Sequence, residues 1–95
     1  MENLKILRFE KSKTKFKKYD SIILDKMTGK KMRVPFGDIR FQHYKDSTPN
    51  KLYSRLDHLD KKRKANYLAR HRKTMFKKFS PSWHSAIFLW DWDGK

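Results

Sequence analysis

The sequence predicts a small α+β domain: an antiparallel sheet in the N-terminal half, packed by one long basic helix and a short C-terminal helix. Three observations carry this reading. Runs of β-forming residues lie at 3–10, 19–24 and 31–36. Residues 61–79 carry apolar side chains at helical spacing. The phrase "SPSW" at 80–83 has the form of a second helix start, with Ser80 as N-cap and Pro81 at the first helical position.

"NLKILRFE" alternates, with Lys5, Leu7 and Phe9 on one face and Leu4, Ile6 and Arg8 on the other. "KSKTKFKK" (11–18) follows and is expected to be an exposed, lysine-rich loop. "YDSIIL" and "KMRVPF" are the next two strands, with Gly29 between them to supply a positive φ in a hairpin turn. Pro35 cannot donate a ladder hydrogen bond, so its strand belongs at an edge or ends there. "FGDIRFQHY" (36–44) reads as a turn at Gly37 and a short strand, or as a helical turn. "KDSTPNK" is loop chemistry, and "LYSRLDHL" is irregular or a single helical turn. Asp60 then suits an N-cap, because its carboxylate can accept from free N–H groups and complements the helix dipole. Ala65, Leu68, Ala69, Met75, Phe76 and Phe79 form a broad apolar stripe, with Lys62, Arg63, Arg70, Lys73 and Lys77 mostly off it. After Pro81, Ile87, Phe88 or Leu89, and Trp90 are expected to face the sheet.

Ninety-five residues make one small domain, 1–95, with a modest core. Seven Phe, four Tyr and three Trp supply bulk that offsets a mean hydropathy of −1.01. The chain holds 25 Lys and Arg against 10 Asp and Glu, a net charge of +15, which favours a polyanionic partner. Residues 61–78 hold nine cations and no acid, so self-repulsion there favours a working state with counter-charge. No cysteine is present, which rules out a disulfide framework and a thiolate zinc site. No apolar run approaches a membrane span, and the opening "MENLKILRFEK" lacks the apolar stretch of a signal peptide. Phosphate-binding loops, nucleophile elbows, HExxH and RNP signatures are also missing, so a binding protein rather than an enzyme is expected, with no cofactor.

The phrases "KKYDSIIL", "VPFGDIRFQHYKD", "LDHLDKKRKANYLARH" and "SAIFLW" resemble a family of small basic uncharacterised proteins encoded by large DNA viruses. The pattern falls on Gly37 and Asp38, Tyr44 and Asp46, then His58, Asp60, Arg63, Tyr67, Arg70 and His71, and finally Ser85, Leu89 and Trp90. It covers roughly residues 17–90. The resemblance implies a viral context, in a virion or the interior of an infected cell, and no particular reaction.

Four groups are candidates for function. Arg63, Tyr67 and Arg70 share a helix face and suit successive phosphates, with Tyr67 stacking or donating its hydroxyl. The competing expectation pairs these arginines with Asp38, Asp46 or Asp57 and turns Tyr67 inward. Lys13, Lys15, Lys17 and Lys18 suit a mobile electrostatic contact, and Lys62, Lys73 and Lys77 extend it along the helix. Trp83 and Trp90 are expected in the core, whereas Trp92, between two aspartates, suits a protein partner. His58 and Asp60 could share a metal or an acid–base role. Two ligands without a third are a weak metal signal, and Asp60 as cap with His58 bonded locally is the simpler expectation. Asp60 and His71 lie ~16 Å apart along one helix and cannot share an ion. The leading expectation is a viral protein that binds nucleic acid non-specifically through phosphates. The alternative is a minor capsid or assembly protein that meets acidic protein partners.

Overall fold

The computed structural model describes residues 3–95. Three strands, β1 (Leu4–Lys11), β2 (Lys17–Asp25) and β3 (Lys31–Asp38), form one antiparallel sheet in the order β1-β2-β3. A 3-10 turn at Ser54–Leu56 and three helices follow: α1 (Lys61–Arg70), α2 (Arg72–Met75) and α3 (Pro81–Phe88). The α+β class and the placement of the sheet in the N-terminal half are as the sequence predicts. The β2–β3 turn holds Gly29 at φ +73°, and Pro35 lies on an edge strand. Among the described residues no helix is long and apolar enough to cross a membrane.

Strict alternation fails in β1. Ile6 pairs with Ile23 while Arg8 pairs with Ile22, so Leu7 is an extra residue. Such a bulge flips the register by one. Ile6 and Phe9 therefore both pack on the core, and Leu7, expected beside Phe9, is half-exposed. The stretch 11–18 is also not one loop. Lys11 ends β1 and Lys17 and Lys18 begin β2, which leaves Ser12–Phe16 as the connection.

The core gathers Phe9, Tyr19, Phe36, Tyr53, Leu89 and Trp90. Helix α3 closes it. Ser80 Oγ accepts from Trp83 N–H and Pro81 fills the first turn, as expected. Phe88 then meets the edge of Phe9 at 4.7 Å, and His84 stacks on Phe36 at 5.1 Å. Gly37 makes this approach possible. It holds φ +77°, and a Cβ there would lie 2.7 Å from Leu89 Cδ1 and 3.2 Å from Lys18 Cβ.

The expected helix 61–79 is corrected. Regular geometry stops at His71, with φ −100° and ψ 11°. The His71 ring turns back, its Nδ1–H donating to Tyr67 O at 3.0 Å, a side-chain bond that competes with helix continuation. After the short α2, Phe79 adopts φ +68°. The apolar stripe is also thinner than its pattern: α1 buries no residue, Ala65, Ala69 and Phe76 are exposed, and Met75 alone of the six is buried. Alanine is too small to bring α1 down onto the sheet. Residues 39–44 form neither a new strand nor a helical turn. Phe36 and Asp38 still belong to β3, opposite Tyr19 and Lys17 of β2, and beyond them the ladder contact is an isolated bridge from His43 to Asp57.

Candidate nucleic-acid interface

Because α1 stands off the sheet, a cleft of about 1010 Å³ opens between them. One wall is the end of the β2–β3 pair, with Lys17, Phe36, Gly37 and Asp38, continued by Phe41 and Gln42. The opposite wall is α1, with Arg63, Asn66, Tyr67 and Arg70. Ser82 and Ser85 of α3, with Leu89 and Trp90, close the rear. Nine of the thirteen motif positions singled out in the sequence line this cleft: Gly37, Asp38, Arg63, Tyr67, Arg70, His71, Ser85, Leu89 and Trp90.

The helix begins as its sequence implies. Asp60 Oδ1 accepts from Lys62 N–H and Arg63 N–H at 2.9 and 3.1 Å. Asp60 N–H donates to His58 Nδ1, so His58 bonds locally; its Nε2 is buried with no partner among the described residues, and its ring packs on Trp90 at 5.2 Å. No group of three or more His, Asp or Glu among the described residues is arranged for a metal ion.

Arg63 and Arg70 sit two turns apart on the cleft face, ~10.5 Å along the axis. Arg63 donates to Gln42 Oε1 at 3.0 Å. The expected internal ion pairs do not form. Asp38 is held by Arg40 in two bonds of 3.0 and 2.8 Å, Asp46 by neutral donors, and Asp57 by His43. The Arg40 bonds keep the Asp38 carboxyl at a pKa of about 2. Among the described residues no carboxylate pairs with Lys61, Lys62, Arg63, Arg70, Arg72, Lys73 or Lys77, while Lys64 reaches Asp91 at 3.5 Å.

Two expected contact residues are corrected. Tyr67 does turn inward: its ring lies between Trp90 at 4.1 Å and His71 at 4.0 Å, both stacked, so neither face is open to a base. Lys18 is not a mobile surface lysine. It is 2% exposed, because Gly37 leaves room for its stem beneath the cleft. Its Nζ donates to Phe41 O and His43 Nδ1, each at 2.9 Å, and His43 Nε2–H donates to Asp57 Oδ1 at 2.6 Å. Burial lowers the Lys18 pKa to about 8, against the opposing charges of Asp38, Asp46 and Asp57. This Lys18–His43–Asp57 chain was invisible in the sequence, since no spacing rule joins positions 18, 43 and 57.

Of the remaining candidates, Lys17 lies at the cleft. Lys13 and Lys15 are exposed on the preceding loop, and Lys62, Lys73 and Lys77 are exposed outside the cleft. Trp90 is core, Trp83 half-buried. Trp92 is also half-buried, with the Phe76 ring 5.0 Å away in an edge contact. Sequence reasoning missed Gln42 and Asn66, amides on opposite walls of the cleft, because single amides outside a motif carry no signal.

Three histidines make stability acid-sensitive. His43, His58 and His84 all hold pKa values below the ordinary 6.5: burial disfavours each imidazolium, Lys18 adds to this at His43, and Arg63 adds to it at His58. His84 donates from Nδ1 to Ser80 O, and its Nε2 is buried without a partner among the described residues. The unfolded chain takes up protons below pH 6.5 that the folded chain refuses, so stability is greatest above that value and declines below it. Tm should fall steadily between about pH 7 and about pH 5. A flat Tm across that range would show that protonating these rings costs nothing.

No protein-family model, no curated protein and no solved structure matches this chain.

Proposed function

We propose that this protein binds nucleic acid through phosphate contacts, without reading sequence, and that the basic cleft is its principal contact surface. The observation that carries the reading is the state of the helical cations. Arg63 and Arg70 face an open cleft, and among the described residues no carboxylate neutralises them. Leaving such charges unpaired and adjacent is unfavourable in the isolated chain, and a polyanion removes the penalty. Guanidinium groups suit this role because their planar fork matches phosphate oxygens in pairs. Lys17 stands across from them, and Lys13 and Lys15 extend the positive surface along the loop.

In this reading the protein is a binding protein, not an enzyme. Its partner is the nucleic acid of a virion or infected cell, as the resemblance to a virus-encoded family implies. Contact with phosphates releases condensed counterions, so affinity depends steeply on salt. With six to ten phosphates engaged, affinity for mixed-sequence DNA should drop by about 10³–10⁵ between 50 and 200 mM salt. Fluorescence anisotropy across a salt series measures this directly. A flat response, or stoichiometric binding to an acidic capsid protein without nucleic-acid affinity, would replace the proposal with the assembly-protein reading.

A further inference from the structure

Next to the cleft lies a feature that phosphate contacts do not use. Phe41 is 64% exposed and Phe16 40% exposed, at the same end of the molecule. The Arg40 guanidinium lies 4.4 Å from the Phe16 ring centre and 5.9 Å from that of Phe41. Lys15 Nζ lies 5.0 Å from the Phe16 ring. The two loops are tied by Ile39 N–H donating to Phe16 O at 2.9 Å. Asp38 grips Arg40, so the guanidinium is held in place rather than free to seek solvent. Phe16 also adopts φ +66°, a backbone region unfavourable for a bulky side chain. Burial in the core offsets none of that strain, because the ring is at the surface.

We propose that Phe41, with Phe16 and Arg40 beside it, is a stacking platform for the bases of single-stranded nucleic acid whose phosphates lie along Arg63, Arg70 and Lys17. This rests on the phosphate-binding reading and specifies its substrate class. Phe41 lines the cleft itself, so platform and cations form one continuous surface. Phosphate contacts alone would not distinguish single strands from duplex. Exposed aromatic faces do, because the bases of a duplex are already stacked on one another and offer no free face. Charge complementarity selects the same ligand: among the described residues Asp38 is the only acid lining the cleft, and Arg40 holds it. Gln42 and the exposed Asn66 line the same cleft, and the Gln42 N–H₂ and the Asn66 amide supply hydrogen-bonding groups of the kind that base edges pair with.

The test compares a single-stranded oligothymidylate with a DNA hairpin of equal charge, each across a salt series, for the wild type and Phe41→Ala. Phe41 is at the surface, so the variant should fold, and its Tm checks this. The expected result is tighter binding of the single strand, weakened about tenfold in Phe41→Ala at every salt concentration with the slope unchanged. A 2-aminopurine in the strand should lose emission on binding the wild type and recover it in the variant. Equal affinity for strand and hairpin with no effect of Phe41→Ala would overturn the platform while leaving the electrostatic reading intact. Failure of both nucleic acids to bind would overturn both. Phe41-dependent binding to phosphatidylserine vesicles without strand binding would assign the surface to a membrane and likewise overturn the proposal.

Discussion

Replacing Asp46 with alanine is expected to destabilise the protein by about 3–5 kcal/mol and lower Tm by roughly 15–30 °C. Asp46 is 1% exposed and among the described residues carries no ion pair. Its Oδ2 accepts from Tyr19 O–H at 2.6 Å and Tyr53 N–H at 3.1 Å; its Oδ1 accepts from Thr48 O–H at 2.6 Å and Thr48 N–H at 3.0 Å. Burial raises the pKa of this carboxyl, but the four donors outweigh burial and hold it below the ordinary value. Truncation leaves buried donors without an acceptor, and the penalty is their desolvation rather than the modest net worth of four hydrogen bonds. The hub also joins the central strand to the loop at 46–53, and the Tyr19 hydroxyl oxygen, Oη, in turn accepts from Leu52 N–H at 2.9 Å. Tyr19→Phe removes one donor and one acceptor and should cost only about 1–2 kcal/mol. Thermal melts of the two variants decide the matter. A D46A melt within a few degrees of wild type would show that water or rearrangement satisfies the orphaned groups.

The second large effect concerns binding. Reversing both cleft arginines, Arg63→Glu and Arg70→Glu, should reduce the salt slope by about two units, since each phosphate contact contributes about 0.9. Affinity at physiological salt should fall by at least tenfold. The fold should be unaffected, because both side chains are exposed on α1 and glutamate is a good helix former. The informative control is Lys62→Glu with Lys73→Glu, which removes the same charge outside the cleft. If the cleft is the contact surface, the arginine pair is the more sensitive one. Equal losses from the two pairs would mean that the partner sees only net charge, and the larger loss in the lysine pair would move the interface to the outer face of the helix.

Much of the secondary structure was legible because its causes are local. Asp60 and Ser80 cap helices with their own side chains, Pro81 preorganises the first turn of α3, and Gly29 supplies its turn. None of these needs a distant partner. The charge asymmetry is equally a property of the sequence, but whether Arg63 and Arg70 pair internally was open in the sequence and was decided by the distant positions of Asp38, Asp46 and Asp57. The helix beyond His71 was misread because the apolar period continues through Met75 and Phe76, while the His71 ring bonds backwards and ends regular geometry. Periodicity measures where a face could lie, not whether anything covers it.

Tertiary structure alone decided the fate of residues whose environment is assembled from distant segments. Lys18 and Lys17 are neighbours of the same type, yet one is buried on His43 and the other lies at the cleft, because strand pairing sets their directions and Gly37 opens space for only one stem. Tyr67 faces two rings rather than a ligand because Trp90 arrives from the far end of the chain. The bulge at Leu7 rotates half of β1 by one register. Local chemistry thus determined where elements begin, where they turn and where positive charge accumulates. Which lysine is buried, which aromatic is open and where the cleft lies followed from long-range packing, because burial is a property of the whole folded surface and has no value for a residue by itself.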